Sequence, residues 1–257
     1  MILTIVIFLV ILAVLVFIHE LGHFLAAKVS GVRVDEFSIG FPPRIFEKTW
    51  GETKYSIGCI PFGGYVKIFG EDGEVGETIL RGDDSFATKP KWIQVFILVS
   101  GIIGNIILAW ILFSVALMLG HANLFSALYE GAKTTAENFF AIVTGIFQII
   151  FDAFRGINDF GELSGPVGIA RLVGEAQKLG FGYLLSFTAF ISLNLAVINL
   201  LPFPALDGGR ILFVIIEAIR QKNISAKVAN IINTAGFGIL VLLLVVVTIK
   251  DVIAIWK

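Results

Sequence analysis

The chain has 257 residues, of which 57% are hydrophobic and only 15% charged, and its mean hydropathy is +0.92. Soluble domains are closer to half apolar and a quarter charged, so the composition points to a polytopic membrane protein rather than to one or two soluble domains. A formal net charge of −1 gives no reason to expect a nucleic-acid partner, and the single cysteine, Cys59, can close no internal disulfide.

About 20 consecutive apolar residues cross a bilayer core. Residues 2–27 meet that length and form the first predicted span, interrupted only within VFIHELGHFLAAK (16–28). The run is too long, and lacks the basic start, for a cleaved signal peptide. In the following loop, 28–92, FSIGF (37–41) and TKYSIGCIPFGGYVKIFG (53–70) alternate with strand-like period two, broken by Pro61 and Gly63-Gly64. They predict a small sheet at the membrane surface. The acidic, glycine-rich stretch 71–91 predicts a mobile surface loop.

Residues 93–119 form the second predicted span. The region 120–182 is expected outside the membrane, with 139–154, short and carrying Asp152, lying along the interface as an amphipathic helix. The third span is 183–203, with Asn194 and Asn199 embedded in it. Residues 204–222 predict a half-helix opening on Leu206-Asp207-Gly208, and 231–250 the fourth span. The expected fold is therefore an all-α polytopic membrane protein forming one domain. It has about four transmembrane helices, a small membrane-associated β-region in the first loop and a juxtamembrane amphipathic helix.

Charge orients these spans. With four crossings, loops 28–92 and 202–230 share one side and carry 13 Lys and Arg residues, against 6 on the other side. The positive-inside bias makes that side cytoplasmic and both termini external.

The chemistry lies in the first span. His19, Glu20 and His23 are ionisable groups in an apolar stretch, which is costly unless something compensates them. On a helix His19 and His23 are four apart and share a face. HExxH lets two imidazoles bind one metal while the glutamate takes a proton from a metal-activated water. The bland alternative, an ordinary polar helix face, fits a soluble helix better than a membrane span. Zinc suits imidazole and carboxylate ligands. A catalytic zinc has three protein ligands and one open position, so a third must come from elsewhere. The best candidate is Asp207 in NLLPFPALDGGR (199–210), where prolines and glycines unwind a helix end. Asp207 could equally be a turn or cap residue, but the charge count places it at the same cytoplasmic depth as HExxH.

FxxHExxHF followed by NLLPxPxLDGGR resembles the site-2 protease family of intramembrane zinc metalloproteases, nearest the bacterial regulator-of-sigma-E protease type. EFSIGF (36–41), IPFGGYVK (60–67), the Gly101–Asn105 pair, LSGPVGIA (163–170) and ISLNLAVINLLPFPALDGGR (191–210) extend the resemblance over nearly the whole chain. It implies Zn2+ held by His19, His23 and Asp207, with Glu20 as general base. It also implies hydrolysis of peptide bonds within or near the membrane spans of single-pass proteins, such as trimmed anti-sigma factors or signal-peptide remnants. The expected location is the bacterial inner membrane. Asn199, Asn194, Gly63 and Gly64 are the candidate substrate-binding or oxyanion residues. Asparagine in lipid also commonly bonds helix to helix. The strands of 53–68 resemble the family's membrane-associated β-region, which could clamp an extended substrate by strand addition.

Three departures accompany the resemblance. No PDZ-sized segment lies between spans two and three, Pro42-Pro43 stands where relatives often show glycine, and Ile102 stands where proline often follows Gly101. The CBS domain of the sporulation-type relatives is also not expected. The alternatives are a membrane zincin cutting outside the bilayer, which needs a downstream helical glutamate ligand, and a non-catalytic member or metal transporter.

Overall fold

The computed structural model describes residues 2–71, 82–156, 164–222 and 224–255. The chain runs α1 (Ile2–Val29), β1 (Val34–Trp50), β2 (Thr53–Ile68), α2 (Lys91–Leu119), α3 (Leu124–Phe154), α4 (Pro166–Leu179), α5 (Phe181–Leu200), α6 (Asp207–Arg220) and α7 (Ala226–Ile255). A 3-10 turn at Phe86–Thr88 precedes α2. Residues 72–81 of the expected acidic loop lie outside the described residues.

Among the described residues five helices, not four, are long and apolar enough to cross a membrane: α1, α2, α5 and most of α3 and α7. The extra one is α3. Glu130, Lys133 and Glu137 break its apolar run, so only its second half stands out in the sequence. Charges do not stop a helix as proline does, and no proline falls between 124 and 154. The helix therefore continues for 31 residues, and 139–154 is its C-terminal half rather than a separate interfacial helix. It is the least apolar of the five.

The strand-like alternation does fold as a small antiparallel sheet, made from two long bent strands. Gly51, at φ +63°, turns β1 back into β2, with Trp50 opposite Thr53. Lys54 pairs with Thr49 on one side and with Glu36 on the other. Residues 53–57 are thus inner, and 64–68 form an outer segment beside 34–39. The β1 register breaks between Phe41 and Arg44, at Pro42-Pro43, which have no N–H to give to a ladder. Ser56 donates to Glu36 at 2.8 Å and Thr53 to the Val34 carbonyl at 2.8 Å, satisfying polar groups buried in the sheet.

The chain divides into two compact units. One comprises residues 9–105 and 198–237, with a core around Ala27, Val34, Ile97 and Leu98. In it α1 and α2 approach closely. Gly22 rests on the Ser100–Gly101 backbone and Gly104 on the Ile18 carbonyl, where any Cβ would meet backbone at 3.0 Å or less. Small residues at such crossings are how helices pack tightly in lipid. The other unit comprises 1–8, 106–197 and 238–257. Ala109, Phe113, Ala189 and Leu193 form its buried cluster.

Candidate active site

The site is built in the unit of residues 9–105 and 198–237, from α1, α2 and the α5–α6 junction. α1 carries His19 and His23 four residues apart, both 7% exposed, with ring centroids 4.8 Å apart. α5 ends at Leu200 because Pro202 and Pro204 follow. The chain then folds back on itself before α6. Gly208 packs on the Leu200 and Leu201 carbonyls, Gly209 on the Phe203 carbonyl, and Ala205 takes φ +70° with its N–H donated to Asn233 Oδ1. No side chain fits at either glycine without displacing backbone. This turn presents Asp207, in the first turn of α6, to the histidines.

The resulting distances fit one small cation. His19 Nε2 and Asp207 Oδ2 are 3.0 Å apart, His23 Nε2 and Asp207 Oδ2 3.3 Å, and the two Nε2 atoms 3.3 Å. Zinc bonds of about 2.0–2.1 Å in a tetrahedron require ligand atoms about 3.3 Å apart. The hydrogen bonding agrees. His23 Nδ1 donates to the Ile97 carbonyl at 2.9 Å, so its Nε2 offers a lone pair. Asp207 Oδ2 is buried and receives no hydrogen bond. Acceptors that converge without a shared proton call for a cation between them. Among the described residues, His19, His23 and Asp207 form the group of three whose ligand atoms could hold a metal.

Glu20 is half-buried on the same turn of α1. The β-region reaches it through Gly64, where a Cβ would come within 3.2 Å of Glu20 Cγ, 3.1 Å of Val16 Cγ1 and 2.8 Å of the Ser38 carbonyl. Gly63 packs instead against the Phe41 ring. Asn199 is brought to the cluster, with Nδ2 3.4 Å from His19 Nε2. Asn194 belongs to the other unit, and its Nδ2 donates to the Phe190 carbonyl of its own helix at 2.8 Å.

Two features escaped the reading of the sequence as site elements. The Ile97 carbonyl, a backbone group, has no sequence signature. Asn105 is fully buried with its amide 3.5 Å from His19 Nδ1; its only signal was the GxxGN spacing of α2 (101–105). Two ion pairs also hold α6: Arg210 to Glu71 at 2.5 Å and Lys91 to Glu217 at 2.6 Å. They border a cavity of about 270 Å3 that none of His19, His23 and Asp207 lines.

The profile of peptidase family M50 matches residues 7–243. A Clostridium perfringens protein provisionally named a zinc metalloprotease is 31% identical, covering 93% of this chain and 95% of that protein. The regulator of sigma-W protease RasP of Bacillus subtilis is 25% identical over 97% of this chain and 98% of its own. The zinc metalloprotease RasP of Geobacillus kaustophilus is 25% identical over 95% and 96%. The alignments run to 326, 417 and 410 positions, longer than this chain. The relatives therefore carry internal segments that this chain lacks.

Proposed function

This chain belongs to peptidase family M50, the site-2 proteases, and is a multi-pass membrane zinc metalloprotease; we propose that it hydrolyses peptide bonds within or near the spans of single-pass bacterial membrane proteins. The carrying observation is the convergence of His19 Nε2, His23 Nε2 and Asp207 Oδ2 within 3.0–3.3 Å, beside Glu20. These three residues hold the Zn2+, which when bound acidifies a water and polarises a substrate carbonyl.

Glu20 takes the proton of the attacking water and returns it to the departing amine. Asn199, with its amide beside His19, donates to the oxygen that becomes negative as the carbonyl is attacked. Asn194 keeps a helix-internal role. The substrate is unwound before it is cut, because the peptide bonds of a membrane helix are hydrogen-bonded and shielded. The outer segment 64–68 supports strand addition as the means: it pairs with 34–39 on one side and begins at Gly64, against Glu20. Gly64 lets this strand lie against Glu20, and Gly63–Gly64 is the proposed start of the edge along which substrate backbone is added. The name of the Bacillus relative, regulator of sigma-W protease, ties that protein to a sigma factor, and trimmed anti-sigma factors are the substrates proposed here, with signal-peptide remnants as the other class.

The site faces the cytoplasm and both termini are external, on the 13-to-6 distribution of Lys and Arg. This orientation needs an even number of crossings, so α3, the least apolar of the five candidates, lies along the external face. Reporter fusions at both termini test it, since five crossings would place the two reporters on opposite sides.

The activity is tested with a single-span reporter whose external part has been trimmed. Glu20→Gln is expected to lower its cleavage by about 10²–10⁴-fold while zinc content stays at the wild-type level. Equal cleavage by both proteins would overturn the protease reading.

A further inference from the structure

The zinc reading above leaves one buried side chain at the cluster without a role, and the inference rests on that reading. Asn105 of α2 is 0% exposed and stands 3.5 Å from His19 Nδ1, on the side of the ring opposite Nε2. From the geometry, we infer that Asn105 is a positioning residue that fixes the tautomer and orientation of His19 by accepting the hydrogen on Nδ1.

The two histidines pose the same problem and solve it differently. Each must keep Nε2 free as a lone pair, so each must carry its hydrogen on Nδ1 and give it to an acceptor. His23 uses the Ile97 carbonyl, about two turns before Asn105 on α2, at 2.9 Å. His19 lies four residues further toward the N-terminus of α1, and the stretch of α2 that faces it runs through Gly104 and Asn105. At that level of α2 the group that stands at His19 Nδ1 is a side chain, the Asn105 amide. Asparagine qualifies because rotating its amide by half a turn exchanges oxygen for nitrogen with almost no change in shape. With the oxygen toward the ring, Nδ1–H donates to Oδ1, and Nε2 points at Asp207 Oδ2 and His23 Nε2.

The glycines explain why so short a side chain reaches. Gly101 lies under the His23 ring, where a Cβ would overlap ring atoms, and Gly104 touches the Ile18 carbonyl, one residue before His19. They draw α2 onto α1 at the two positions flanking the histidines.

The test is zinc affinity of the purified full-length chain, measured by competition with a chelating dye for wild type, Asn105→Ala and Asn105→Asp. Thermal unfolding of each in excess chelator controls for folding without metal. Asn105→Ala is expected to bind zinc about 10–100-fold more weakly, as loss of an outer hydrogen-bond partner does. Asn105→Asp restores binding close to wild type, because a carboxylate accepts the same hydrogen, whereas a residue that merely packs would be harmed more by a buried charge. Wild-type zinc affinity in Asn105→Ala overturns the inference, as does Asn105→Asp binding as weakly as Asn105→Ala. If Asn105→Ala does not fold, Asn105→Asp decides alone: retained affinity supports the inference and lost affinity overturns it. A wild-type chain that binds no zinc would instead overturn the zinc reading of the site itself.

Discussion

Two aspartates, one buried and one partly buried, each beside the start of a short helix, are handled in opposite ways. Asp251 of α7 is 8% exposed and accepts the Gly168 N–H at 2.7 Å. That N–H belongs to the first turn of α4, whose cap residue Gly165 supplies no side-chain hydrogen bond. A helix start has unpaired N–H groups and a partial positive charge, so Asp251 caps α4 from another helix and is itself satisfied. Gly165 and Gly168 let it approach, since a Cβ at either would stand within 3.0 Å of Asp251 Oδ2. Asp207 also sits in the first turn of a helix, yet its Oδ2 receives no hydrogen bond and faces two imidazole nitrogens. A buried carboxylate matched by a backbone donor holds structure together. One left facing lone pairs is set up to bind a cation.

That contrast can be broken by experiment. Asp207→Asn removes a ligand rather than an outer partner, so zinc affinity should fall by more than the roughly 10–100-fold typical of outer partners, and proteolysis with it. Unchanged zinc affinity measured by chelator competition would move the third ligand elsewhere. Gly64→Ala should lower kcat about 10–100-fold with zinc content intact, because the new Cβ presses on Glu20 and the Ser38 carbonyl. Loss of zinc in that variant would mean the glycine supports the ligands rather than the base. Saturating zinc should stabilise the wild type by about 2.7 kcal/mol at a concentration 100 times its Kd and leave Asp207→Asn unmoved, as read by thermal unfolding with and without chelator. The smallest effect belongs to the other aspartate. Asp251→Ala should cost about 1–3 kcal/mol of stability, the penalty for unsatisfied buried donors, while zinc content and cleavage stay at wild-type levels. A zinc-deficient Asp251→Ala protein would erase the distinction.

Much of the candidate site was legible in the sequence because its elements are local. HExxH needs only one helix to put two imidazoles on a face, and PFPALDGG announces a broken helix at membrane depth. The sheet showed through its alternation. α3 was misjudged because a hydropathy run ends at the first charges, whereas a helix ends only where the backbone can no longer continue. Asn194 and Asn199 were both substrate-site candidates, Asn199 the stronger; five residues on a helix turn them to different directions, and of the two Asn199 has its amide beside His19.

The amino-acid order by itself pointed to the membrane class, to a candidate ligand pair with a candidate base, and to a third candidate ligand in an unwound segment. Each of these is a matter of composition or of spacing within one element. The tertiary structure decided which carbonyl and which amide hold the two imidazoles, that Gly64 rests on Glu20, and that Asp207 rather than Asp251 is the carboxylate left without a donor. Those depend on surfaces distant in sequence meeting, the two imidazole contacts alone spanning 74 and 86 residues. Close approach between distant segments is set by where glycines remove a Cβ, and that becomes visible only when both partners are in place.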